Sequence, residues 1–68
     1  MVTVDVRGYS CPEPVMMTEQ ALKKNGNQVI KVLANEVHTK ANIEKFVASK
    51  GKKVTVEENG SDFELTIE

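Results

Sequence analysis

The stretch KVTVEENGSDFELTI, residues 53–67, decides the architecture. Val54 and Val56 alternate with Lys53, Thr55 and Glu57, while Phe63, Leu65 and Ile67 alternate with Glu64 and Thr66. Each half therefore reads as a strand with one apolar face. Asn59-Gly60 between them is a hairpin signal. A two-residue turn centred on that pair sets Glu58 against Ser61, Val56 against Phe63 and Val54 against Leu65, so the hairpin presents its apolar side chains on a single face.

Moving toward the N-terminus, residues 37–50 predict a helix. Ile43, Phe46 and Val47 form an i, i+3, i+4 stripe, Val37 and Ala41 extend it backward, and Gly51 ends it. Asn35 or Thr39 can cap its start. Residues 28–34 predict a strand with Ile30, Val32 and Ala34 on one face and Val29, Lys31 and Leu33 on the other, a pattern suited to the interior of a sheet. Residues 14–24 predict a helix carrying Val15, Thr18 and Leu22 on one face, with Met16, Met17 and Ala21 close by. Lys23 and Lys24 suit its negative end and Asn25-Gly26 stops it. Val2, Val4 and Val6 alternate with Thr3 and Asp5 in a first strand.

The order β-α-β-α-β-β implies an α+β fold, a two-layer α/β sandwich with both helices on one face of a mixed four-stranded sheet. A right-handed crossover makes the first two strands parallel, and the closing hairpin is antiparallel. The outer face then carries Thr3, Asp5, Lys31, Thr55, Glu57, Glu64 and Thr66, with Val29 and Leu33 as apolar exceptions. These two are either a small contact patch or ordinary exposed apolar residues.

The chain has 68 residues, 40% of them apolar, with one cysteine and one histidine. One domain over residues 1–68 is expected, near the lower size limit for a core without staples. A lone Cys11 excludes an internal disulfide, and Cys11 with His38 falls short of a structural zinc site, so no metal and no cofactor is expected. His38 reads as a surface or capping residue. Nine basic and ten acidic residues give a formal net charge of −1. Both signs are interspersed, so direct nucleic-acid binding is not expected. No apolar run approaches the length of a membrane span, and the first residues lack the basic and apolar regions of a secretory signal. A cytoplasmic, monomeric protein with a reduced thiol is expected.

Chemistry concentrates in DVRGYSCPEPV, residues 5–15, where a strand passes into a helix. A helix N-terminus presents unpaired N–H groups and partial positive charge, which stabilise a thiolate. Pro12 and Pro14 remove two donors and leave the N–H groups of Glu13 and Val15 for an anion. They also bias Cys11 and Glu13 toward extended backbone, which makes Pro14 the first helical residue. Arg7 would lower the Cys11 pKa and Glu13 would oppose it. Against this stands the ordinary behaviour of a lone cysteine as a small buried hydrophobe.

The run D-V-R-G-Y-S-C-P-E-P-V-M-M resembles the TusA-like sulfur-carrier family, which includes the TusA, SirA and YedF types. Its most specific element is G-x-x-C-P-x-P, here Gly8, Cys11, Pro12 and Pro14, and the similarity spans essentially the whole chain. The resemblance implies a two-layer sandwich and a persulfide carried on Cys11. It also implies a cysteine desulfurase or rhodanese-type donor and a downstream acceptor protein, with sulfur directed to tRNA thiolation or other sulfur or selenium metabolism. Arg7 and Glu13 belong to the same motif, and Tyr9, Met16 and Met17 would flank the docking surface. The segment Asn35-Glu36-Val37 stands where many relatives have Asp-Pro, and with A-N-I-E-K-F-V-A-S-K-G it is more similar to the YedF branch. Tyr9 replaces a more usual aliphatic residue. YedF-type proteins often carry a second domain, so the chain is either a whole protein or an N-terminal domain. A regulatory or RNA- or protein-binding module with an incidental thiol is the alternative, resting on fold analogy. Its basic residues would be Lys23, Lys24, Lys50, Lys52 and Lys53.

Overall fold

The computed structural model describes residues 2–10, 12–26 and 28–68; Cys11 lies outside the described residues. The elements follow the expected order: β1 (Val2–Asp5), α1 (Glu13–Lys24), β2 (Ile30–Ala34), α2 (Val37–Ser49), β3 (Val54–Asn59) and β4 (Asp62–Ile67). The strands are arranged β1-β2-β4-β3, with β1 parallel to β2 and the other pairs antiparallel. Apolar residues on both faces of β2 agree with its interior place. The pairing of β1 continues past its end, since the Val6 N–H donates to the Leu33 carbonyl at 2.9 Å.

Alternation in the strands sends Ile30, Val32, Ala34, Leu65 and Ile67 to the helix-covered face, where all are fully buried. Val2, Val4, Val54, Val56 and Phe63 pack around them. Ile43 and Val47 of α2 and Thr18 and Ala21 of α1 close the core from the other layer. Each fully buried Ile or Val side chain contributes about 1.5–3 kcal/mol by leaving water. Among the described residues Thr18 is the buried polar one; its hydroxyl donates to the Pro14 carbonyl at 2.9 Å, and no buried side-chain polar atom there lacks a partner. On the outer face Lys31 pairs with Glu64 at 3.0 Å, and Asn59 donates to the same carboxylate at 3.3 Å. Those two partners, Lys31 foremost, hold Glu64 below the usual carboxylate range. Leu33 is half-buried and Val29 is exposed.

The hairpin is offset by two residues from the expected register. Asn59 pairs with Asp62, Glu58 with Phe63, Val56 with Leu65 and Val54 with Ile67, which leaves Gly60-Ser61 as the turn. Gly60 has φ +67°, and among the described residues only glycines have positive φ. A type I′ turn centred on Asn59-Gly60 would need positive φ at both residues, including Asn59. Glycine followed by an ordinary residue matches the type II′ pattern. An offset of two keeps every side chain on its expected face.

Both helix starts also differ from expectation. The N-cap of α1 is Pro12, with Glu13 already helical and Pro14 in the first turn, where a proline costs no helix hydrogen bond. The N-cap of α2 is Glu36 in an extended conformation, so neither Asn35 nor Thr39 serves. At the far end of α2, Gly51 donates to the Ala48 carbonyl and Lys52 to the Val47 carbonyl, the paired bonds of a Schellman motif. Among the described residues no helix is long and apolar enough to cross a membrane.

Candidate functional site

Parallel pairing puts the C-terminal ends of β1 and β2 at one end of the sheet, where β3 ends and β4 begins. The loop from β1 to α1 and the short link from β2 to α2 therefore lie side by side, and both helices start there. In the first of these loops the Tyr9 N–H donates to the Val6 carbonyl at 3.3 Å. Gly8, third of the four turn residues, has φ +86°. Positive φ at this place marks a type II turn, which a residue with a Cβ adopts only under strain. A Cβ on Gly8 would meet nothing within 4 Å, so the cost is backbone strain alone. Gly8→Ala is expected to lose about 1–2 kcal/mol of stability, measurable as a lowered urea midpoint; an unchanged midpoint would show that the turn relaxes freely.

Arg7 is held by two carboxylates. Its Nε and Nη2 donate to the two carboxylate oxygens of Asp5 at 2.9 and 2.8 Å, and its Nη1 donates to Asp62 at 2.9 Å. One guanidinium thus ties the end of β1 to the start of β4, and two carboxylates meet its charge. Arg7 thereby braces this end of the sheet, and the influence expected of it on the Cys11 pKa lies outside the described residues. The side-chain bond from Arg7, and then its backbone N–H, bring the Asp5 pKa down from 3.8 to about 2. A pKa depressed by folding adds stability above the ordinary value and loses it as pH falls through about 2. Because the pair is exposed, the effect is best read on the group itself. Carboxyl NMR is expected to give an Asp5 midpoint of about 2, which Arg7→Met moves up toward the ordinary range; a midpoint unmoved by that substitution would contradict the pairing.

The proline-rich entrance to α1 is tightly stitched. Glu13 donates its N–H to the Ser10 carbonyl at 3.0 Å, and Met16 donates to the Pro12 carbonyl at 3.1 Å. The Glu13 N–H, expected to be free for an anion, is therefore occupied. Pro14 is fully buried, which anchors the entrance to the core, whereas Ser10, Pro12 and Glu13 are exposed. The negative charge of Glu13 faces the positive end of its own helix.

A model of the sulfurtransferase TusA family matches residues 2–68. The chain belongs to the TusA family. Its fold is an α+β sandwich closely similar to the crystal structure of a SirA-like protein from Desulfitobacterium hafniense. The TM-score is 0.89 at 30% sequence identity, over 98% of this chain and 95% of that one. No curated protein sequence matches it.

Around the loop, this TusA-family chain exposes three large apolar side chains. Tyr9 is 46% exposed, Met16 52% and Val37 62%. The sequence places Tyr9 and Met16 there, whereas its helical pattern puts Val37 on the stripe of α2. Counting turns explains the exposure of Val37, because it precedes Ile43 by six residues and so falls well off the Ile43–Val47 face. Met17 goes the other way. It is half-buried against the core, three residues after Pro14 and four before Ala21, both buried. His38 is exposed beside Val37. Among the described residues no group of His, Cys, Asp and Glu side chains could hold a metal ion.

Proposed function

We infer that the protein is a sulfur carrier whose working group is Cys11. One observation carries this: the family is one of sulfurtransferases and its match spans residues 2–68, in a chain with a single cysteine. Covalent transfer of sulfane sulfur needs a thiol, and Cys11 supplies the chain's only one. The residue bonded to it, Pro12, is the N-cap of α1, at the end of the sheet where Tyr9, Met16 and Val37 are exposed.

The step balances without an oxidant. The Cys11 thiolate attacks the outer sulfur of a donor persulfide, the S–S bond of the donor breaks, and the donor departs as a thiolate while Cys11–S–SH forms. An acceptor thiol reverses the same exchange and regenerates Cys11. Gly8, Pro12 and Pro14 fix the path of the loop, and Arg7 braces it through Asp5 and Asp62. Glu13 lies in the first turn of α1. Tyr9 and Met16 offer a docking surface, methionine being an adaptable contact, and Val37 extends it; Met17 supports it from below. A cysteine desulfurase or rhodanese-type enzyme would be the donor, and a downstream sulfur-accepting protein the recipient. Incubation with a cysteine desulfurase and radiolabelled cysteine is expected to place label on the protein that excess thiol removes. Label that never appears, or that thiol cannot remove, would overturn the carrier role.

A further inference from the structure

Between the C-terminal halves of α1 and α2, at the end of the molecule opposite the loop before α1, lies a groove of about 220 Å³. It is lined by Glu19, Leu22, Lys23, Phe46, Lys50 and Lys52. Its floor is apolar, made by Leu22 and Phe46, which pack on the core from their inner sides. Its rim is cationic. The Lys50 ammonium stands 5.5 Å from the centre of the Phe46 ring, and the Lys52 ammonium reaches across to the Gly26 carbonyl at 3.4 Å. Among the described residues, ion pairs engage Arg7, Lys31 and Lys40, whereas Lys23, Lys50 and Lys52 pair with no carboxylate. Lys24 and Lys53 lie at the same end, so positive charge gathers there in a chain whose net charge is −1.

We propose that this groove is a second docking site, for an acidic peptide segment of a partner protein that inserts a large apolar side chain onto Leu22 and Phe46. Charge complementarity selects the occupant, with three ammonium groups facing one carboxylate across an apolar floor. A peptide fits better than nucleic acid, because the groove holds a single aromatic ring, whereas single-strand binders stack successive bases on several. The opposite end of the sheet stays open, so a partner held here does not obstruct exchange at Cys11.

A fluorescent peptide bearing Leu-Phe flanked by glutamates is the probe, followed by anisotropy and by amide shifts of the whole protein. Binding is expected with shifts centred on Leu22, Phe46 and Lys50. It should weaken roughly tenfold in the doubly substituted Lys23→Glu, Lys50→Glu protein, and similarly when NaCl rises from about 50 to about 500 mM. Both substitutions are on exposed side chains, and an otherwise unchanged amide spectrum verifies the fold. Cys11→Ser should bind the probe normally, which separates this site from sulfur loading. Equal binding of a lysine-flanked Leu-Phe peptide, shifts confined to Tyr9 and Met16, or capture of single-stranded RNA in place of the acidic peptide would each overturn the proposal.

Discussion

Leu65→Ala is expected to leave the protein largely unfolded near body temperature. Leu65 is fully buried at the centre of β4, flanked across the ladder by Val32 on one side and Val56 on the other. Removing a leucine side chain from such a site costs about 2–5 kcal/mol, because the cavity left behind closes only partly. A 68-residue domain has roughly 3–10 kcal/mol of stability in all. The loss is therefore comparable to the total, and at about 4–8 °C per kcal/mol the melting temperature should fall by roughly 10 °C or more. The control is Thr55→Ala, an exposed residue on the edge strand β3, which should stay within about 0.5 kcal/mol. Calorimetry or thermal circular dichroism separates the two. Similar melting temperatures for both would mean that stability does not reside in the sheet-facing core described above.

Cys11→Ser should have the opposite profile, with sulfur loading lost and the fold kept. A serine hydroxyl cannot hold sulfane sulfur as a persulfide, and the chain has no second thiol to substitute. Loading from a desulfurase is expected to drop to background, at least about a hundredfold, as for removal of a covalent nucleophile. Serine differs from cysteine by a single atom, so the melting temperature should change by no more than a few degrees. Residual loading at a substantial fraction of the wild-type rate would place the sulfur elsewhere. A large fall in melting temperature would instead identify Cys11 as a packing residue.

Much of the fold follows from period alone. Two-residue alternation locates the four strands and the i, i+3, i+4 stripe locates α2, while α1 is marked by its helix-forming residues, Lys23 and Lys24, and the Asn25-Gly26 stop. Strand order is less visible, because alternation says which face a side chain takes and not which neighbour it meets. The placing of β4 inside the sheet does leave a trace. Its inner face carries Phe63, Leu65 and Ile67, against Val54 and Val56 on β3, and the larger side chains take the more enclosed strand. The hairpin register departs from the Asn-Gly expectation for a local reason. Asn-Gly favours one turn type, but Gly-Ser directly after Asn59 satisfies another with positive φ at glycine only.

At the site, the motif itself was legible and its contacts were not. Arg7 stands beside a cysteine-bearing loop, and its guanidinium is also reached by Asp62, 55 residues away, where the chain doubles back. No short-range pattern reveals such a contact. The exchange of roles between Met17 and Val37 was recoverable, since each follows from helical angles measured from Pro14 and from Ile43. The Glu13 N–H illustrates a finer limit: its occupation by Ser10 depends on the helix starting one residue earlier than two prolines suggested.

The most direct measurement of the carrier role is the intact mass of the protein after incubation with a cysteine desulfurase and cysteine, followed by peptide mapping. A gain of one sulfur atom, located on the peptide containing Cys11 and reversed by a thiol reductant, is the expected result. No gain, or a gain that survives reduction or appears equally in Cys11→Ser, would contradict it.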